Sequence, residues 1–158
     1  MKIKKIYVYV IALLVTLGVG ALSGYLTMDA MEEFMQLNQP PLSPPPIVFP
    51  IVWTILYILM AISISIVLTN ENATKDTEFL ALAFYGLNLA FNFLWPVWFF
   101  VFGLLWFSVL WLVLLIAIVL VLMLISASVS RVSMYLLIPY ILWLLFALYL
   151  NAGVAILN

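Results

Sequence analysis

The sequence lacks cysteine and histidine and is poor in charge: its 158 residues include five Lys or Arg and six Asp or Glu. Without Cys and His, disulfides, zinc and iron–sulfur centres, His-ligated haem and Cys or His nucleophiles are excluded. We therefore expect no metal site and no cofactor, and without a basic excess we expect no nucleic-acid partner. Soluble domains are about 25% charged, whereas this chain is 7% charged and 69% hydrophobic. The composition indicates an integral membrane protein.

The uncharged stretches between the few charged segments predict five membrane-spanning helices, because a span needs about 20 apolar residues. The stretch 79–130 is long enough for two spans, so we place a hairpin between Pro96 and Gly103, which both disrupt a regular helix. The stretches do not alternate apolar and polar residues as a membrane β-barrel does. The sequence therefore predicts an all-α integral membrane protein, a five-transmembrane-helix bundle forming one domain over residues 1–158, with helices at about 6–28, 47–69, 79–101, 104–127 and 134–157 and a lid loop at 29–46.

The basic residues predict how the bundle is oriented. With five spans, Lys2, Lys4, Lys5, Lys75 and Arg131 all fall on the side of the N-terminus. Loops rich in Lys and Arg stay in the cytoplasm. We therefore expect a multi-pass protein of a bacterial plasma membrane with a cytoplasmic N-terminus.

The first span leaves two alternatives open. Its basic start, apolar stretch and small residues up to Ser23 also fit a cleaved secretory signal, although the stretch is longer than a typical signal core, which favours a retained helix. Gly20 and Gly24 form a small-xxx-small pair that lets another helix approach closely. That helix belongs either to the same chain or to a second copy in a homodimer.

Proline, asparagine and aromatic residues are the candidates for function. Six of the eight prolines lie in residues 38–50, a stiff segment that is either a rigid connector or a binding lid. Asn92 and Asn151 fall within predicted spans, where amides either bond helix to helix or anchor a ligand in a pocket. Trp53 and Trp143 come from different spans and offer faces on which a flat apolar ligand stacks. The spans contain no charge, which argues against an ion-coupled transporter.

A longer pattern resembles the TspO/MBR family, the tryptophan-rich sensory proteins of bacteria and the translocator protein (peripheral benzodiazepine receptor) of mitochondria. The resemblance covers spans two to five, in order, and only weakly the first. It rests on these motifs: Pro40-x-x-x-Pro44-Pro45, Phe49-x-x-x-Trp53-x-x-x-Tyr57, Leu87-Asn88-Leu89-x-x-Asn92-x-x-Trp95-Pro96-x-x-Phe99-Phe100 and Pro139-Tyr140-x-x-Trp143-x-x-Phe146-Ala147-x-x-Leu150-Asn151.

The resemblance implies five transmembrane helices, often in a dimer, and a pocket closed by the loop after the first helix. Its expected partners are the lipid bilayer and a tetrapyrrole such as protoporphyrin IX, a sterol-like molecule or another flat hydrophobic ligand. The implied role is to bind this ligand and to transport or sense it. Trp53 and Trp143 would be facing indoles, and Asn92 and Asn151 the pocket amides. Carried over by position, the expected ligand-binding residues are Ser23, Pro44, Pro45, Phe49, Trp53, Tyr57, Asn92, Trp95, Trp143, Phe146, Ala147, Leu150 and Asn151.

Three lid positions depart from the family pattern. Leu42 stands where relatives usually have Trp, and Gln39 and Pro46 stand where they often have Lys and Arg. The lid is therefore expected to lack an aromatic wall and a cationic partner for a porphyrin propionate. Two alternatives to a binding protein remain: light-dependent porphyrin degradation, which would use Trp53 and Trp143, and a membrane interaction scaffold. No catalytic acid–base pair is visible, so no other catalytic residue is assigned.

Overall fold

The structure, a computed structural model, describes residues 2–158, with side chains at 5–32 and 34–158, and most of these residues are helical. Within this described part, five stretches are long and apolar enough to cross a membrane. The predicted all-α membrane fold is confirmed. The helices are α1 (Lys2–Phe34), α2 (Val48–Thr69), α3 (Lys75–Pro96) continued by a π-helical turn (Val97–Val101), α4 (Leu105–Val129), α5 (Arg131–Leu136) and α6 (Ile138–Leu157).

The first helix runs further than the sequence predicted. It ends at Phe34 rather than at residue 28, because Ala, Met and Glu in this segment favour helix. The Phe34 ring also packs against Phe99 and Phe100, with ring centroids 4.6 and 4.9 Å apart. The acidic residues mark the end of the apolar stretch and not the end of the helix. The loop to α2, which we call the lid, is therefore residues 35–47 rather than 29–46.

The last span is broken near its start. α5 ends at Leu136 and α6 begins at Ile138, so the predicted single helix 134–157 starts earlier and contains a break at Leu137. Pro139 lies in the first turn of α6, where its missing N–H costs no internal helix bond. The third and fourth helices also differ at their ends, since α3 begins at Lys75 and α4 extends to Val129.

Contacts between helices fix their relative directions. α1 runs parallel to α3, since Ser23 Oγ donates to the carbonyl of Phe93 over 3.1 Å and Thr16 bonds Tyr85. α2 returns antiparallel to α1, and Lys5 Nζ lies 3.9 Å from a carboxylate oxygen of Glu71. The first helix therefore starts at one end of the bundle, the N-terminal end, and the lid lies at the other, the lid end.

Three of the five basic residues have described side chains, at Lys5, Lys75 and Arg131. Lys5 lies at the N-terminal end, and Lys75 and Arg131 begin helices that also start there. The side chains of Lys2 and Lys4 lie outside the described residues. Asp29 and Glu32 are exposed near the lid end of α1.

One glycine of the predicted close-approach pair is used within the chain. A Cβ at Gly20 would overlap the ring of Tyr57 on α2, so a helix of the same chain occupies this face of α1. A Cβ at Gly24 would meet no atom within 4 Å. The Gly20 side of α1 therefore packs against α2 inside the bundle.

Candidate ligand-binding site

A cavity of about 360 Å³ lies at the lid end, between α1, the lid, α2, the end of α3, the π-helical turn and α6. Most of the side chains that surround it are apolar. Four carry a polar group, namely an amide in Gln39 and Asn151, a hydroxyl in Ser43 and a ring N–H in Trp95, and none of the described lining residues is charged. The volume lies in the range of about 300–1,000 Å³ typical of small-molecule pockets. The lining consists of Met31, Phe34, Met35, Gln39, Ser43, Pro44, Pro45, Pro46, Phe49, Trp95, Phe99, Phe100, Ala147, Leu150, Asn151 and Val154.

The lid is bonded to the end of α6. The Asn38 backbone N–H donates to Asn158 Oδ1 over 3.0 Å, and Asn158 Nδ2 donates back to the Asn38 carbonyl over 3.0 Å. The hydroxyl of Tyr149 donates to the carbonyl of Pro41 over 2.8 Å. Pro40 is buried against Gly153, where a Cβ would lie 2.5 Å from the proline Cβ. Bonds and close packing thus hold the lid over the cavity.

The inner end of the cavity is a tryptophan–amide pair. Trp95 Nε1 donates to Asn151 Oδ1 over 3.0 Å, and Asn151 Nδ2 donates to the Leu105 carbonyl over 3.2 Å. The Trp95 ring stacks on Phe99, with centroids 5.5 Å apart. Phe99 lies in the π-helical turn after Pro96, and such turns shift the faces of the residues that follow. The turn presents Phe99 and Phe100 to the cavity.

Comparison with known proteins identifies the fold family. Residues 11–157 match the model of the TspO/MBR family. The chain belongs to the TspO/MBR family. It is 31% identical to "Tryptophan-rich protein TspO" of Chlorobaculum tepidum over 98% of both chains, and 30% identical to the protein of that name from Bacillus cereus over 94% of this chain and 95% of that one. It is 38% identical to "Protein CrtK" of Rhodobacter capsulatus over 77% of this chain and 76% of that one. The resemblance inferred from the motifs is confirmed.

Seven of the residues expected from the TspO/MBR pattern line this cavity. They come from the lid, α2, α3 and α6, which lie far apart in the sequence. Asn151 is the one predicted amide among them. The seven are Pro44, Pro45, Phe49, Trp95, Ala147, Leu150 and Asn151.

Four predicted aromatic residues lie elsewhere, and they include both indoles expected to face each other across the pocket. Trp53 packs against Tyr57 and Tyr140, with centroids 5.5 and 6.3 Å apart. Trp143 packs against Phe146 and against Phe49, and of these three residues Phe49 lines the cavity. Trp53, Tyr57, Trp143 and Phe146 are not in the cavity lining. Among the described tryptophans Trp95 lines the cavity, so the geometry adds no support to a photochemical role for Trp53 and Trp143.

Asn92 and Ser23 bond helix to helix instead of lining the cavity. Asn92 Nδ2 donates to Asn88 Oδ1 over 3.2 Å and to the hydroxyl of Tyr140, and that hydroxyl donates to Asn88 Oδ1 over 2.6 Å. All three side chains are buried. Ser23 bonds α1 to α3. The assignment of Asn92 and Ser23 to the ligand pocket therefore differs from the structure, in which both groups are satisfied by protein partners.

The sequence reasoning missed nine lining residues. Met31, Phe34 and Met35 have the spacing of one helical face, but they fall in the segment 29–46 that the sequence predicts as the lid loop. Phe99 and Phe100 stand in the family motif but are not among the residues predicted for the pocket. Ser43 and Val154 also line the cavity.

Two of the three lid positions that depart from the family pattern, Gln39 and Pro46, line the cavity. The third departure differs: Leu42 has a φ of 68° and is 81% exposed, so it is not part of the cavity wall.

Proposed function

We propose that this TspO/MBR protein binds a flat apolar ligand, such as a tetrapyrrole, a sterol-like molecule or a lipid, in the lid-end cavity. The observation that carries the proposal is the lining itself. Trp95, Phe99 and Phe100 present aromatic rings, which favour offset stacking with flat partners.

The interior beyond the cavity supports binding and release at the lid end over passage through the bundle. Trp95 and Asn151 form the inner wall, and the turns that follow toward the N-terminal end are packed. Asn88 and Tyr140 are fully buried there, and Met60 packs beside Asn88. A ligand that crossed the bundle would have to break this network.

The test is quenching of tryptophan fluorescence by the uncharged dimethyl ester of protoporphyrin IX in purified protein held in lipid nanodiscs, with empty nanodiscs as reference. Ala147→Phe adds a ring inside the cavity and should abolish saturable quenching. Ala83→Phe adds the same ring at an exposed position of α3 and should leave it intact. Phe49→Ala, which removes one wall, serves as a second variant if Ala147→Phe does not fold. Equal quenching in all variants would contradict binding in this cavity.

We also propose a bacterial plasma membrane with the N-terminus in the cytoplasm, as the positive-inside rule predicts. Lys75 begins α3 at the N-terminal end and is exposed. Asn72→Cys in the neighbouring loop should react with a membrane-impermeant thiol reagent only after cells are opened. Leu42→Cys, in the lid, should react in intact cells. The reverse pattern would overturn the orientation.

A homodimer is the proposed assembly, with the partner copy on a groove between α1 and α3. Cβ atoms at Gly18 and Gly86 would meet nothing within 4 Å, so the groove lets a helix approach closely. Gly86→Leu should lower the dimer fraction in native mass spectrometry, whereas Gly24→Leu, outside the groove, should not. An unchanged dimer fraction in Gly86→Leu would refute this surface. The groove is lined by Gly18, Val19, Leu22, Gly86, Leu89, Ala90, Phe93 and Leu94.

A further inference from the structure

The polar side chains of the cavity are neutral, and each already donates a hydrogen bond to the protein. Ser43 Oγ donates to the carbonyl of Pro40 over 2.8 Å. Asn151 Nδ2 donates to the Leu105 carbonyl, and Gln39 Nε2 donates to a backbone carbonyl at the end of α1 over 3.4 Å. The described lining therefore offers a ligand anion no cationic partner.

The charges nearest the cavity in the fold are negative. Asp29 and Glu32 are exposed on the two turns of α1 that also supply Met31 to the lining. The sequence contains no Lys or Arg between residues 6 and 74. Lys5 precedes Met31 by about 39 Å along α1, several times the Debye length of about 8–10 Å near physiological salt. The other described basic side chains, Lys75 and Arg131, also lie toward the N-terminal end.

We infer that the cavity selects an uncharged flat ligand and discriminates against ligands with free carboxylates. This inference rests on the proposed binding function. A carboxylate that enters an apolar site loses its hydration, and the loss is costly unless a cation or several donors replace the water. Here no described side chain supplies a cation, and Asp29 and Glu32 repel an approaching anion.

Protoporphyrin IX and its dimethyl ester provide a matched pair of probes, since they share one ring system and differ in whether the two carboxyl groups are free. Each is loaded at equal amounts into nanodiscs with and without protein, and occupancy is read by native mass spectrometry. Empty nanodiscs correct for the greater partitioning of the ester into lipid. We expect the corrected affinity for the ester to exceed that for the diacid by about tenfold or more. The affinity for the diacid should rise with salt, which screens Asp29 and Glu32, while that for the ester should not.

Substitutions at the lid separate a cavity effect from a surface effect. Pro46→Arg places a cation at a lining position and should raise the affinity for the diacid, relative to the affinity for the ester, at least about fivefold. Ile47→Arg adds the same charge at a neighbouring residue that is 65% exposed and outside the lining, so it should act weakly. Pro46→Gln controls for the loss of the proline ring and should leave the ratio of ester to diacid binding unchanged.

The outcomes distinguish this inference from the proposed binding function on which it rests. Preference for the ester that shrinks in Pro46→Arg and not in Ile47→Arg supports the inference. Equal or tighter binding of the diacid to the unaltered protein overturns it and leaves the binding function standing. Failure of both probes to bind refutes the binding function and the inference together. Equal responses of Pro46→Arg and Ile47→Arg would assign the effect to surface charge and also overturn the cavity mechanism.

Discussion

Replacing Gly153 by alanine should loosen the lid. Gly153 lies on α6 where the ring of Pro40 packs against the helix, and the added Cβ would lie 2.5 Å from Pro40 Cβ and 2.7 Å from Cγ. Carbon atoms in contact are ordinarily about 3.5–4.0 Å apart, so the ring must move by about 1 Å. A proline ring cannot swing aside as a flexible side chain does. The lid backbone must therefore shift with it.

That shift should lengthen or break the hydrogen bonds that hold the lid. Two of them join Asn38 to Asn158, and a third joins Tyr149 to the carbonyl of Pro41. Each is worth about 0.5–1.5 kcal/mol, and all are exposed, which places them toward the lower value. Losing two or three would favour lid opening by about 1–2 kcal/mol. Amide exchange in the lid should then accelerate by about 5- to 30-fold.

The assay is hydrogen–deuterium exchange of peptides covering residues 35–47 in nanodiscs, with the Asn38 amide as the most direct reporter. Gly24→Ala is the matched control, because its Cβ meets no atom within 4 Å and alanine alone favours helix by about 0.5–1 kcal/mol. Thermal unfolding establishes that both variants remain folded. If the lid exchanges at the same rate in Gly153→Ala and Gly24→Ala, the packing of Pro40 on Gly153 does not hold the lid closed.

Two further predictions concern the interior of the bundle. Gly20→Ala forces a Cβ into the Tyr57 ring and should destabilise the protein by about 1–3 kcal/mol, whereas Gly18→Ala should not. Denaturant unfolding in detergent measures both, and equal stabilities would contradict the close approach of α1 and α2. Tyr140→Phe removes the hydroxyl shared by Asn88 and Asn92 and should cost about 1–2 kcal/mol, whereas Tyr135→Phe, at a residue 53% exposed, should cost little. Ligand binding should survive Tyr140→Phe, and its loss without a loss of stability would place the network in the binding site.

Composition and charge spacing were sufficient to predict the membrane fold. Uncharged stretches longer than about 20 residues leave few alternatives, because the bilayer requires every backbone polar group to be bonded within a helix or a closed barrel. Helix ends were harder to place. Phe34 lies beyond the acidic residues at which the first span was predicted to end. Helix-favouring residues permit the extension, and the contacts of Phe34 with Phe99 and Phe100, which the sequence does not reveal, stabilise it.

The residues that line the cavity were predicted where their position in the chain restricts them, and not where the rotation of a helix about its axis decides. Pro44 and Pro45 lie in the lid, and Phe49 lies in the first turn of α2 directly after it. A sequence motif was therefore enough to predict that these three residues line the cavity. Trp53 and Trp143 stand in equally distinctive motifs, yet they pack between α2 and α6 outside the cavity. Which face of a helix looks inward depends on its neighbours, and a uniformly apolar helix carries no pattern that reveals it.

The sequence by itself determined that this is a five-span membrane protein of the TspO/MBR family, because composition, spacing and motif carry that information. It also determined that the chain has no Lys or Arg between residues 6 and 74. Only the tertiary structure decided where that absence matters. It brought Gln39 and Pro46 into the wall of the cavity and turned Leu42 outward. The physical reason is that the lid's path is fixed by contacts with the distant end of α6, at Gly153 and Asn158, which no local pattern encodes.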